Sequence, residues 1–310
     1  MKIDKIDSTE YSQLFDKSYI PYNTVAFNML NSNKCDSLDF FLFQEDNVKL
    51  GLIAGIKDSR LFCPFSAPFS SFSFLDNNIR NSYILAAIEA LEDYTIKNHL
   101  ISIRFTLPPY FYNEHIISKL IYSFFKSRYS AIVDDNHFFY TKDFINYKNG
   151  TLKKGVRFNL KIAVKSGLFF KKASSIYEYR IAFDIVKNNK ESKDRPLHMS
   201  FEQLLEMKGL VDVDYFLVYC KDKPIASSIV YIYSPRIVQI IYWGDLSGFH
   251  CYYPMNYLAM NIFRFYSEDG FEFIDLGNSS KNSEPNFGLS NFKEIIGCTA
   301  TTKFTFIKAL

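Results

Sequence analysis

The sequence predicts an α/β protein with mixed sheets, in which one strand-and-helix unit is used twice. Three observations point there. The chain has 310 residues, of which 48% are hydrophobic and 18% aromatic, enough apolar material for two cores at about 100–200 residues per domain. Short β-type runs alternate with segments of helical periodicity, the pattern of an α/β chain. The order of elements also recurs: FFLFQEDNVKLGLIAGI from position 40 and YFLVYCKDKPIASSIVYIY from position 215 each lead to a further strand, an amphipathic helix and another strand.

In the first half, 40–44 and 48–56 flank the polar turn Glu45-Asp46-Asn47 and predict a hairpin. Residues 61–72, with two prolines and three serines, read as a strand opening into a loop. Ile84, Ile88, Leu91 and Thr95 recur at helical spacing and predict a helix over 82–97. Strand 100–105 follows and stops at Pro108-Pro109, a second helix carries Ile116, Ile117, Leu120, Ile121 and Phe124, and 137–144 reads as a strand. The polar stretch 146–155 places a boundary between domains 1–148 and 149–310.

The second half opens on a basic helix over 153–166. Val156, Leu160 and Ala163 form its apolar stripe, and Lys154, Arg157, Lys161 and Lys165 its positive one. Helices over 174–189 and 200–208 precede the hairpin 215–220 and 225–233, which turns at Lys221 to Pro224. Strand 237–243, a helix over 254–268 with Pro254 in its first turn, strand 271–276 and strand 302–307 complete the order.

Composition narrows the function classes. Lys and Arg exceed Asp and Glu by only 3 (36 against 33), so net charge announces no nucleic-acid partner. The start MKIDKIDSTEYSQLF lacks the apolar stretch of a signal peptide, and no run is long and apolar enough to predict a membrane span. Five scattered cysteines without a CxxC pair predict neither a disulfide framework nor a metal site. A cytoplasmic protein without a bound metal is the expectation.

Four phrases carry a resemblance to a known family: HFFYTKDF (137–144), GVRFNLKIAVKSGL (155–168), FEFIDLGNSS (271–280) and GLSNFKEIIG (288–297). With the doubled element order, the chain resembles the tandem N-acetyltransferase (GNAT) fold, and more narrowly the Fem peptidyltransferases. The resemblance implies two GNAT-like domains, each a mixed sheet flanked by helices, with the donor site in the second. It also implies that strands 237–243 and 271–276 splay apart around an activated acyl group. The chain departs from the family in two places: no long helical-hairpin arm is inserted in the second half, and GDLSGFHCYY (244–253) lacks the Gly-rich phosphate turn of ordinary acetyl-CoA enzymes.

Acyl transfer to an amine needs a held acyl group, removal of a proton and donors for the developing oxyanion. Asp245 and Asp275, at the ends of the two strands, are the candidate carboxylates. Each is equally suited to a structural role, Asp245 in a turn and Asp275 as an acceptor of backbone N–H groups. Trp243, Gly244, Tyr253, Asn256, Gly277 and Asn278 surround the same ends, and the start of helix 254–268 suits donor phosphates. The resemblance places Lys293 near a substrate phosphate or carboxylate; a solvated surface lysine is the equal alternative. Arg157 and Lys161 of the basic stripe are candidates for anionic substrate, or are simply the wet face of a helix. His250 adjoins Cys251, but neighbouring side chains diverge and no partner orients the histidine, so no nucleophile is predicted there. In the first half, the resemblance implies that Pro64, Phe65, Pro68 and Phe69 lie near an acceptor cleft, where Fem proteins have a Pro/Gly-containing loop; a plain connecting loop is the equal alternative.

The expected function is therefore an acyl- or aminoacyltransferase forming an amide on an amine of a cell-envelope precursor or polysaccharide sugar. Because the long arm is absent, acyl-CoA ranks ahead of aminoacyl-tRNA as donor. A GNAT-like binding or assembly protein without turnover is the alternative. An open gap between the two strands favours the enzyme, and a gap plugged by Trp243, Tyr253 or Phe287 favours the binding protein.

Overall fold

The computed structural model describes residues 1–15, 18, 20–76, 78–144, 153–195, 197 and 199–310. The boundary expected between 148 and 149 lies outside the described residues. Two compact units are resolved: Met1–Asp135 with Ser280–Glu284 and Thr302–Leu310, and Asn136–Ser279 with Pro285–Thr301.

The first unit contains β1 (Lys2–Ile6), α1 (Ser8–Phe15), α2 (Val25–Leu30), β2 (Ser37–Glu45), β3 (Val48–Lys57), β4 (Arg60–Cys63), β5 (Ser73–Phe74), α3 (Asn81–Lys97), β6 (Ser102–Thr106) and α4 (Glu114–Lys126). Strand β1 pairs antiparallel with β2, β2 with β3 and β3 with β4, whereas β4 pairs parallel with β6. The unit is closed by the end of the last strand of the chain, in which Thr305 opposes Thr106. Buried alternate residues of β2 and β6, Phe41, Phe43, Ile103 and Phe105, pack with Ile84, Ile88 and Leu91 of α3 and Phe124 of α4. The helical spacing read from α3 is thus its core stripe. Helix α4 starts where the Asn113 side chain accepts a hydrogen bond from the Ile116 N–H.

Strand β7 (Ser130–Tyr140) carries the chain from the first unit into the second. It lies earlier than the expected 137–144, because Thr141–Asp143 form a short 3-10 turn. Next come α5 (Lys154–Lys165), β8 (Leu168–Lys172), α6 (Ile176–Glu191), α7 (Phe201–Met207), β9 (Asp212–Cys220), β10 (Lys223–Ser234), β11 (Ile237–Asp245), α8 (Pro254–Glu268), β12 (Phe273–Asn278), α9 (Phe287–Ile295) and β13 (Thr299–Ala309). In the second unit β8, β9, β10 and β11 pair antiparallel in turn, β11 pairs parallel with β12, and β12 pairs antiparallel with residues 136–140 of β7. The order hairpin, parallel neighbour, flanking helix thus recurs in both units. Helix α6 begins at Ser175, whose hydroxyl accepts from the Glu178 N–H, and α7 begins with a capping box between Ser200 and Gln203. Among the described residues no helix is long and apolar enough to cross a membrane.

Candidate functional site

Strands β11 and β12 stay together only briefly. Their parallel register runs from Ile237 opposite Phe273 to Gln239 opposite Asp275. Beyond that point β11 continues to Asp245 held by β10, with Asp245 opposite Ala226. Meanwhile β12 continues on β7, with Gly277 opposite His137 and Asn278 opposite Asn136. Each strand keeps its outer partner and loses the inner one, so backbone groups on the inner edge of β11 face a gap.

Asp275 sits at the parting. It is fully buried and accepts hydrogen bonds from Gln239 Nε2 at 2.7 Å, Asn136 Nδ2 at 3.0 Å and the Gly277 N–H at 2.8 Å. Gly277 has φ +71, the left-handed conformation that glycine adopts without strain. Just beyond, Lys293 of α9 is 1% exposed and its Nζ donates to the carbonyls of Gly277 at 2.7 Å and Asn278 at 3.1 Å. These carbonyls are what make a buried lysine tolerable here.

Beside the end of β11 lies a cleft of about 690 Å³. Trp243, Gly244 and Asp245 form one wall, Leu289 and Phe292 of α9 with its cap Asn286 another, and Tyr253 to Asn256 at the start of α8 a third. Asp245 Oδ2 lies 2.9 Å from His250 Nδ1. Asn189 Nδ2 donates to the Asp245 carbonyl at 2.7 Å and to Oδ1 at 3.2 Å. The Asp245 side chain is 9% exposed and that of His250 67%, so the carboxylate is enclosed while the imidazole reaches solvent. Gly244 is required by this arrangement, since a Cβ there would stand 2.7 Å from Asn189 Cβ. Tyr253 adopts φ 53 and ψ 47 at the cap of α8, and Pro254 occupies the first turn.

Lys190, Lys193 and Arg195, from the end of α6 and the turn after it, also line the cleft. Lys193 Nζ donates to Asn189 Oδ1 at 3.1 Å. Burial lowers the pKa of the Lys190 ammonium, and the neighbouring Arg195 and Lys193 add to the effect. Crowded cations beside a helix N-terminus are an anion-binding arrangement. Among the described residues no group of His, Cys, Asp and Glu is placed to hold a metal ion.

The structure therefore brings together Trp243, Gly244, Asp245, Tyr253 and Asn256 at one cleft. Asp275, Gly277, Asn278 and Lys293 form the hydrogen-bonded support at the end of β12 rather than the cleft wall. Arg157 and Lys161 are exposed on α5 and do not line the cleft. Pro64, Phe65, Pro68 and Phe69 belong to the first unit. There Phe69 is buried against Tyr22 and Tyr112, and the Phe65 ring packs over Gly55. Sequence reasoning set His250 aside for want of an orienting partner, which the structure supplies in Asp245, and it missed Asn189 and the three cations. The Asp-x4-His spacing and the Lys-x2-Lys-x-Arg ending of α6 were the available signals.

No family model and no curated protein matches the chain. Solved structures do. A crystal structure of FemX aligns over 100% of this chain and 98% of its own, with TM-score 0.66 and 9% identity. A tandem GNAT protein from the clavulanic acid biosynthesis pathway aligns over 99% and 98%, with TM-score 0.53 and 8% identity. This is the Fem-like tandem GNAT fold. The C-terminal domain of a presumed lysylphosphatidylglycerol synthetase from Agrobacterium fabrum shares it, over 97% and 92%, with TM-score 0.62 and 11% identity. In the Fem-like tandem GNAT fold of this chain, the parted strands and their cleft lie in the second unit.

Proposed function

We propose that the second unit is an N-acyltransferase centre, moving an acyl group from a thioester donor to an amine. The observation that carries this reading is the divergence of β11 from β12 into a cleft holding the Asp245–His250 pair. The donor carbonyl would lie along the inner edge of β11, where backbone N–H groups no longer needed for pairing meet the charge developing on its oxygen. Donor phosphates would take the start of α8 together with Lys190, Lys193 and Arg195. With a proton on Nδ1 held by Asp245, His250 keeps the Nε2 lone pair free to receive the amine proton. The amine nitrogen bonds to the carbonyl carbon, the carbon–sulfur bond breaks, and His250 returns the proton to the leaving thiolate. Asp245 orients the imidazole, Asn189 orients Asp245, and Asp275 fixes the point of divergence.

Acyl-CoA is the proposed donor, ahead of aminoacyl-tRNA, and a cytoplasmic location accompanies it. The proposed acceptor is an amine of a cell-envelope precursor or polysaccharide sugar, supported by the fold shared with FemX. A binding protein without turnover is the weaker reading. Trp243 and Tyr253 line the cleft and Phe287 is 70% exposed, which supports the enzyme over the binding protein.

The test combines binding and turnover. Coenzyme A and acetyl-CoA should raise the melting temperature of the full chain, as ligands of the folded state do. Thiol release from acetyl-CoA with a panel of amino sugars should then depend on His250. No stabilisation by either ligand, or turnover unaffected by His250→Ala, would overturn the assignment.

A further inference from the structure

The cleft leaves the basic stripe of α5 without a role, and that stripe has two properties unusual for a solvated helix face. Val156 and Ala163 are fully buried, with Leu160 packed beside them against the second core. Successive helical residues turn by about 100°, so Lys154, Lys161 and Lys165 project on the side opposite Val156. Arg157 and Val164 flank them on one side and Phe158 on the other. All of these side chains are exposed, Phe158 by 60% and Val164 by 64%.

The first property is uncompensated charge. Among the described residues none of Lys154, Arg157, Lys161 and Lys165 forms an ion pair, and the sequence has no Asp or Glu between Asp143 and Glu178. Several cations elsewhere in the second unit are matched, among them Lys172 with Asp214 at 2.7 Å, Arg236 with Glu272 at 2.5 Å and Arg180 with Asp184 at 3.1 Å. This one helix face holds more positive charge than the +3 of the whole chain. The second property is that a phenylalanine and a valine stand exposed among those cations.

Uncompensated Lys and Arg interleaved with exposed apolar side chains are complementary to one kind of surface. An anionic lipid bilayer offers phosphates to the cations and an acyl boundary to the apolar groups. RNA would engage the cations but gives an aliphatic side chain such as Val164 no contact of its own. We propose that the outer face of α5 is a docking surface for an anionic membrane, on which the protein sits peripherally.

Co-sedimentation of the full chain with vesicles tests this. Binding should appear with phosphatidylcholine–phosphatidylglycerol vesicles, be absent with phosphatidylcholine alone, and weaken as salt is added. Lys161→Glu with Lys165→Glu should weaken it by about tenfold or more. Phe158→Ser with Val164→Ser leaves the charge unchanged and should weaken it several-fold. Melting curves confirm that each variant folds, and Lys161→Ala with Lys165→Ala replaces the charge reversal if it does not. Failure to bind the anionic vesicles overturns the proposal. So does binding that ignores the Phe158 and Val164 pair, which would be plain counter-ion attraction. Preference for RNA over vesicles, lost in the same charge variants, overturns it as well.

Discussion

The two units solve the same topological problem in opposite ways. In the first, β4 and β6 pair along all of β4, from Arg60 opposite Ser102 to Cys63 opposite Phe105. Where β4 ends, the chain loops back and the Ser70 N–H donates to the Thr106 carbonyl at 2.8 Å. Phe72 then stacks on Phe105 with ring centroids 5.3 Å apart. In the second, β11 outlasts its pairing with β12, and beside its end Trp243 meets Phe292 of α9 in the wall of the cleft, ring centroids 5.8 Å apart. The same order of elements thus gives a sealed sheet in one place and a cleft in the other. What decides is whether the chain after the inner strand comes back to its neighbour.

This contrast can be broken most sharply at His250. His250→Ala should lower thiol release by about 10³-fold, within the range for loss of a general base. Asp245→Asn should cost about 10²-fold through the imidazole it orients. Activity that survives both would leave the open cleft without a chemical purpose. The sealed side answers to stability instead. Phe72→Ala should cost about 3–5 kcal/mol in urea unfolding, the range for emptying an aromatic core site, with turnover of the folded protein preserved.

Smaller effects sharpen the open side. Asp275→Ala leaves the donors of Gln239, Asn136 and Gly277 facing a buried void and should cost about 3 kcal/mol. Gly244→Ala drives a Cβ against Asn189 and should cost about 1–3 kcal/mol, with a loss of activity through Asp245. The smallest effect is acid dependence at the start of α6. Lys171 and the Ser174 N–H hold the Glu178 carboxylate down at about 2. A lowered folded-state pKa means stability that is present above the ordinary glutamate value and lost as pH falls toward 2. Carboxyl NMR titration should show Glu178 ionised below pH 4, and Glu178→Gln should remove that part of the acid sensitivity.

The fold was legible where local chemistry repeats. The helix starting at Pro254, the hairpin turning at Lys221 to Pro224 and the core stripe Ile84, Ile88, Leu91 and Thr95 each follow from spacing within a few residues. Strand β1 and helix α1 were not read, because KIDKIDSTEYSQLF is polar and short, and its order comes from pairing with β2. The candidate site was half legible. Asp245 stands at a strand end that the sequence marks, but the turn 250–252 that brings His250 back to it has no residue pattern of its own. Lys190, Lys193 and Arg195 read as a polar helix end, since only the packing of α6 beside β11 turns them toward the cleft. Lys293 looks like a solvated lysine until the carbonyls of Gly277 and Asn278 are placed around its Nζ.

Hydrogen–deuterium exchange with and without coenzyme A tests the central contrast most directly. The account predicts slowed exchange over 240–256 on adding the ligand, with no change over 60–72. Protection at 60–72, or at neither stretch, would contradict it.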